Sequence, residues 1–539
     1  MKKALTILLP VLVLCNIYSC TKLKNKSYDQ IIASQFKPGQ QDLEALVGAA
    51  YVNWRLVLQD WNGVFRAQEV SADQVVIPAR PNGWVDGGIY RRIHEHKWTQ
   101  DEDICVNTWS RTYTGIANCN RVIYQIESGL LPVTSGKEAT LAELKVLRAS
   151  YYYVLCDFFG NVPIITQFDT PAGFLPKQNS RKEVYDFIVK EITDNISLLS
   201  AKNDKSTYGN FNQWAAHALL AKMYLNAEIY SGVPQWAKCI QACDAIINSG
   251  AGYALEANQR DVFKTDNENS KEIIFALPYE ETYVTNWNAF SIHMETLQPA
   301  CQATYNLKST PWGGICAIPQ AINSYDADDN RLRDNWIRGQ QYSSSGTPLE
   351  CTMGAFSGQP LNWINEVPGV DQSEEIHGYR LGKFEFKMGA AVQLSNDWPL
   401  FRYADVLMMK AESLLRNGNP DAAATLVTQV RQRSFTSNPA KAVVTGAQLQ
   451  QGTVYSYGLR NHFTSTFESG ADIEYGRFLD ELGWEFNQEG RRRQDMIRFK
   501  AFTKKSWLSH MPNGDYRALF PIPRIEINKN SNLVQIPGY

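Results

Sequence analysis

Apolar residues recur with the α-helical period in neighbouring pairs of segments, and this pattern limits the architectures open to the chain. Trp214, Ala218, Ala221 and Leu225 fall at offsets of +4, +7 and +11, one stripe of a helix. After a break at Ser231-Gly232-Val233-Pro234 the stripe restarts with Trp236, Ile240, Cys243 and Ile247, and the segment closes at Gly250. A second pair runs Tyr403, Leu407, Ala411 and Leu414, then Ala423, Leu426, Val427 and Val430 beyond Asn417-Gly418-Asn419-Pro420. There Asn419 is expected to cap the new helix and Pro420 to take its first position. A looser pair covers Leu141–Leu155 and Val184–Leu199. One striped helix cannot bury its stripe alone, so such hairpins, of tetratricopeptide size, must stack on neighbours. The pairs are scattered along the chain, which argues against a plain solenoid. The fold class is mainly α.

Between about 251 and 400 the periodicity fades into Gly, Pro, Asn, Ser and aromatics with short strand-like runs such as Ile273–Leu277. This stretch is too long for one loop and reads as an irregular segment folded onto a helical body, where binding residues concentrate. The expected organisation is residues 1–19 as a signal, then one domain over 20–539. Within it, about 40–250 is helical, 251–400 is the irregular binding region, and 401–539 is again helical.

The start, Met1-Lys2-Lys3 followed by an apolar run from Ala4 to Leu14, reads as an export signal too short to span a bilayer. It ends Ile17-Tyr18-Ser19-Cys20, a small residue directly before a cysteine, similar to the lipobox of bacterial lipoproteins. Cys20 is therefore the expected lipidation site, and polar Thr21–Gln30 the tether. Lys+Arg 53 against Asp+Glu 55 gives a net charge of −2, which removes the electrostatic motive for binding nucleic acid. Past Cys20 no C-x-x-C occurs, so no zinc ribbon or redox motif is supported, and spacing pairs none of the eight remaining cysteines.

Motifs for catalysis and metals are thin. The acidic run Asp326–Asn330 fails as a calcium loop, because the glycine position holds Arg331 and the twelfth holds Ile337. His94-Glu95-His96 is an H-x-H pair without a third ligand in spacing, read as polar surface. Glu485 and Glu489, four apart beside Arg491, Arg492 and Arg493, read as a salt-bridged helix end rather than opposed acids of a glycosidase, and Glu374-Glu375 lacks a cleft. No catalytic residue, metal site or cofactor is expected.

Aromatics are abundant: 14 Trp, 26 Tyr and 23 Phe. Most lie on helical stripes, but Trp84 sits in Pro81-Asn82-Gly83-Trp84-Val85-Asp86-Gly87-Gly88 and Trp312 in Pro311-Trp312-Gly313-Gly314, turn-rich contexts with no helical face to bury an indole. Tyr283, Trp287 and Phe290 form a second group in the irregular region. A flat ring beside polar groups covers the C–H face of a sugar while its neighbours bond the hydroxyls. The expected ligand contacts are Trp84, Trp312, Tyr283 and Trp287 as stacking rings, with Asp73, Arg80 and Asn82 as polar partners.

The C-terminal segment Leu519–Asn528 followed by Asn532–Tyr539 resembles the ending of the SusD/RagB family. Leu147–Tyr151 through Phe159-Gly160-Asn161-Val162-Pro163, Trp214–Lys222, Phe401-Arg402-Tyr403-Ala404-Asp405-Val406-Leu407 and Phe486–Arg492 resemble further family motifs in the expected order, so the resemblance covers essentially the whole mature chain. It implies a SusD-like fold of tetratricopeptide-like hairpins carrying a loop-rich ligand-binding region. It also implies a lipid-anchored protein of the outer membrane, displayed at the cell surface, that binds oligosaccharide as the lid of a SusC-like TonB-dependent transporter and is not an enzyme. These are scaffold motifs and carry over no ligand contacts. The chain departs from the family in its basic Thr21–Lys26, where surface-displayed members often carry acids. Alternatives are a peptide or other nutrient in the same role, a surface glycoside hydrolase, and a pure protein scaffold.

Overall fold

The computed structural model describes residues 39–59, 62–81, 84–284 and 290–539. The signal segment, Cys20, Asn82 and Trp287 lie outside the described residues. Among the described residues no helix is long and apolar enough to cross a membrane.

The helical body is built from α1 (Gln40–Gln59), α2 (Asp103–Glu127), α3 (Lys137–Phe158), α4 (Arg181–Asn195), α5 (Gln213–Leu225), α6 (Trp236–Ile247), α7 (Tyr403–Arg416) and α8 (Pro420–Arg431). Each packs on the next in this order. The hairpins that look scattered in sequence are therefore contiguous in space: α6 lies directly on α7, and the segment between them loops out. The antiparallel ribbon β1 (Ile273–Leu277) and β2 (Trp398–Arg402) closes that excursion, pairing Ile273 with Arg402 and Leu277 with Trp398.

Local side-chain signals set several helix ends. Ser180 caps α4 in a capping box, its hydroxyl accepting the Glu183 N–H while the Glu183 carboxylate accepts the Ser180 N–H, a device worth about 1 kcal/mol. Pro420 takes the first turn of α8, but Asn419 does not cap it: its side chain donates to the Asn417 carbonyl instead. On α6 the buried stripe is Cys239, Ala242, Cys243 and Ile246, and the expected Ile240 and Ile247 lie at its edges because the helix is clamped between α5 and α7. All eight cysteines of the described residues are buried free thiols.

Two further helices, α9 (Gly476–Phe486) and α10 (Arg492–Arg498), place the family motifs against one another. Arg402 bridges Glu272 (2.7 Å), Glu485 (2.9 Å) and Glu489 (2.7 Å), while Arg433 and Arg331 also hold Glu485 and Lys383 holds Glu489. Glu485 and Glu489 are thus not a surface helix end: Glu485 closes α9, Glu489 lies beyond it, and both sit in a buried ion network. The surrounding cations hold the Glu485 carboxyl far below the usual range despite its burial, and burial pulls Lys383 down to about 8. Arg491 reaches Asp405 of the Arg402–Leu407 motif and Asp495 (2.9 Å). Breaking one partner of such a pair leaves an uncompensated buried charge, so these residues specify how the elements dock.

Candidate functional site

A short antiparallel ladder builds the site. Val75 pairs with Ala317 and Val76 with Cys316. In that register the chain running forward from Val76 and the chain running backward from Cys316 leave the ladder at the same end. This juxtaposition carries Trp84 to Trp312: their ring centroids are 6.1 Å apart with the planes tilted by 54°. Both indoles are half-buried.

The pair is supported from beneath. Trp84 packs on Tyr90, centroids 5.0 Å apart, and the Arg66 guanidinium stands 5.9 Å from both rings. Arg66 is held by Glu295 in a buried ion pair at 2.7 Å. The short helix Ile292–Thr296 fixes the other loop: the Met294 carbonyl accepts the Trp312 N–H (2.7 Å), and the Glu295 carbonyl accepts the N–H groups of Gly314 (2.8 Å) and Ile315 (3.0 Å). Beyond Trp84 the chain turns through Asp86, Gly87 and Gly88, all with positive φ (43°, 62° and 81°), before the helix Ile89–His94. An L-residue in this conformation is strained, and Asp86 is held there as an exposed carboxylate two residues from Trp84. Asp86 was absent from the sequence-derived contacts; the Asp-Gly-Gly turn that begins two residues after the indole was its signal.

Two expected polar partners are structural instead. Asp73 is fully buried, paired with Arg492 at 2.7 Å and accepting the Tyr457 hydroxyl (2.9 Å). Arg80 is 6% exposed and donates to the carbonyls of Glu374 and His377 (3.0 Å), to Cys316 Sγ (3.1 Å) and more weakly to Gly314 O (3.5 Å). Arg380 works beside it, donating to the Glu375, His377 and Gly378 carbonyls at 2.8 Å each, and burial with the Arg80 charge lowers its pKa to about 9. Arg80 thus fastens loop 374–378 and the Trp312 loop to the strand leading to Trp84. Both residues lie close to the indoles in sequence, but satisfying a buried charge takes precedence over facing a ligand.

Tyr283 is 85% exposed, on a turn where the Glu280 carboxylate accepts the N–H groups of Thr282 (2.8 Å) and Tyr283 (2.9 Å). Among the described residues no ring packs on it, and no described contact joins it to the tryptophan pair.

The remaining motifs are spent internally. His94 and His96 are buried rather than surface residues, and the fold adds His510, whose ring centroid is 4.0 Å from that of His96. Those rings pack against each other; among the described residues no cluster of three or more His, Cys, Asp or Glu is placed to hold a metal. Lys441 spans Asp326 (2.7 Å) and Asp328 (2.9 Å), and Glu375 accepts the N–H groups of Thr352 and Met353 (2.6 and 3.0 Å).

Comparison with known proteins identifies relatives of the chain. Residues 42–225 match a family model described as starch-binding and associating with the outer membrane, and residues 271–518 match one described as the SusD family. The starch-binding protein SusD of Bacteroides thetaiotaomicron is 23% identical over 440 residues, 74% of this chain and 72% of that protein. Among solved structures, a laminarin binding SusD-like protein superposes with a TM-score of 0.71 at 20% identity, covering 93% of this chain and 100% of that one. Surface glycan-binding protein A from Bacteroides thetaiotaomicron, in complex with laminarihexaose, gives 0.66 at 18% identity over 92% and 99% of the two chains.

Proposed function

The chain belongs to the SusD/RagB family, and from that premise we propose that it is a cell-surface glycan-binding lipoprotein, anchored through Cys20 in the outer membrane. It captures an oligosaccharide on the Trp84–Trp312 face and acts as the lid of a SusC-like TonB-dependent transporter that imports it. The observation that carries this reading is the pair itself: two half-buried indoles from separate loops, 6.1 Å apart, held rigidly from below. Rings positioned before the ligand arrives reduce the ordering cost of binding, and an open face of this kind gives modest affinity. In this reading Tyr283 and Trp287 are further stacking rings for the glycan, and Asp86 and Asn82 are polar partners for its hydroxyls. The starch and laminarin named for the relatives support a glucan as the first ligand to try.

Hydrolysis is not part of the reading. Two carboxyl groups facing a sugar are needed for that chemistry, whereas Glu485 and Glu489 are neutralised by arginine and lysine inside the protein.

Affinity electrophoresis of the chain against a polysaccharide panel, with product analysis of the same mixtures, tests the proposal. Retardation by one polysaccharide without released product is expected, and a Trp84→Ala, Trp312→Ala double variant that is retarded equally would overturn the site. Protease shaving of intact cells tests surface display. Co-purification with a TonB-dependent transporter tests the partnership.

A further inference from the structure

An open groove of about 500 Å³ lies between α2, the connector after α3 and the C-terminal segment, and no residue of the tryptophan face lines it. Its walls are Trp109, Tyr113, Ile165, Pro176 and Leu533. A volume of this size holds a small molecule.

The polar groups of these walls are bonded to partners within the protein. The Tyr113 hydroxyl donates to the Pro163 carbonyl (2.8 Å). The Ile165 carbonyl accepts from Asn120 Nδ2 (2.9 Å) and the Tyr152 hydroxyl (3.1 Å). The carbonyls of Leu175 and Pro176 accept from Asn532 Nδ2 (3.0 Å) and Asn530 Nδ2 (2.9 Å). Ser110 and Thr114 give their hydroxyl protons to the backbone of α2, and the rim charges Lys529 and Glu526 pair at 2.9 Å. The same asparagine bonds, with a reciprocal pair between Gln178 and the Val534 backbone, zip the two segments together and keep the walls apart. Leu175, which lines the space, is itself exposed, as are its neighbour Phe174 and Val534 on the C-terminal segment.

We propose that this groove is a second ligand site, for a neutral small molecule that presents an alkyl or aryl group. A sugar entering it would give up water without recovering hydrogen bonds, which is unfavourable, whereas apolar surface gains from leaving water. The rim ion pair is self-neutralised, so a charged ligand finds no counter-charge. The assignment stands independently of the glycan reading, because it uses none of the same residues.

The test is a fluorescence titration of the purified chain with N-phenyl-1-naphthylamine, a neutral aryl probe, reading probe emission and energy transfer from tryptophan. Saturable one-site binding is expected. Ala117, an exposed lining residue of α2, allows the space to be filled from the surface: Ala117→Trp is expected to weaken the probe at least tenfold and Ala117→Ser to leave it unchanged. The far-ultraviolet circular dichroism and melting temperature of Ala117→Trp, measured in parallel, report that the variant is folded. Non-saturating binding, or saturable binding indifferent to Ala117→Trp, would overturn the site; the first outcome is that of an apolar face that meets another protein.

Discussion

The indole of Trp84 lies directly over Gly314. A Cβ built on Gly314 would stand 1.9 Å from Trp84 Cε3 and 2.0 Å from Cζ3, far inside contact distance. Gly314, two residues after Trp312, therefore sets how close the two aromatic loops approach.

Substituting Gly314→Ala is expected to displace Trp84 and lower glycan affinity at least tenfold while the far-ultraviolet spectrum stays native. Calorimetry on Gly314→Ala, Trp84→Ala and the double variant checks it. Because both changes act on one indole, the double variant should bind no worse than Trp84→Ala. Additive losses would show that Gly314 acts elsewhere.

Each indole is expected to contribute on the order of 2 kcal/mol to binding, the range of an aromatic anchor, or about thirtyfold in affinity. The 54° tilt between the rings also selects ligand shape. A coiling glucan turns its sugar faces along the chain and can cover both platforms. A flat ribbon meets one. Curved α-1,4- or β-1,3-glucans should therefore retard the protein more than straight β-1,4-glucan, and equal retardation would separate the site from the tilt.

Asp73→Asn breaks the buried pair with Arg492 and is expected to cost about 3–5 kcal/mol of stability. Glycan affinity of the folded fraction should be unchanged. Denaturant melts combined with calorimetry below the transition distinguish this from the ligand contact suggested by its place in the sequence.

Acid and base limbs of stability are predicted to oppose each other. Burial lowers His94 from 6.5 to about 4 and His96 to about 3. Stability tied to these neutral rings is fully present above about 6.5 and is lost as pH falls toward 4. Burial raises Glu69, Glu143 and Asp480 to about 7. Stability tied to these neutral carboxyls is present below about 4 and is lost as pH rises through 7. Between pH 4 and 6.5 the two slopes partly cancel. His94→Phe should lower the slope of stability against pH by removing a group worth on the order of 3 kcal/mol across the window, and Asp480→Asn should raise it. Melting temperatures of both variants at pH 4.5, 5.5, 6.5 and 7.5 check the opposite signs.

The helical hairpins, the irregular excursion and the family motifs were legible in the sequence because a 3.6-residue period and turn residues report local backbone preference and which face of a helix is apolar. The same reasoning singled out Trp84 and Trp312, since neither sits on a stripe that could bury it. It could not find the register of Val75–Val76 against Ala317–Cys316, which brings the two rings side by side from segments more than two hundred residues apart. Nor could it tell Asp86, left exposed by a strained turn, from Asp73, drawn inward by Arg492. The residues alone determined the helices and the unusual rings. Tertiary structure decided which charges find buried partners and which side chains remain for a ligand, because burial and long-range pairing depend on neighbours that no local pattern specifies.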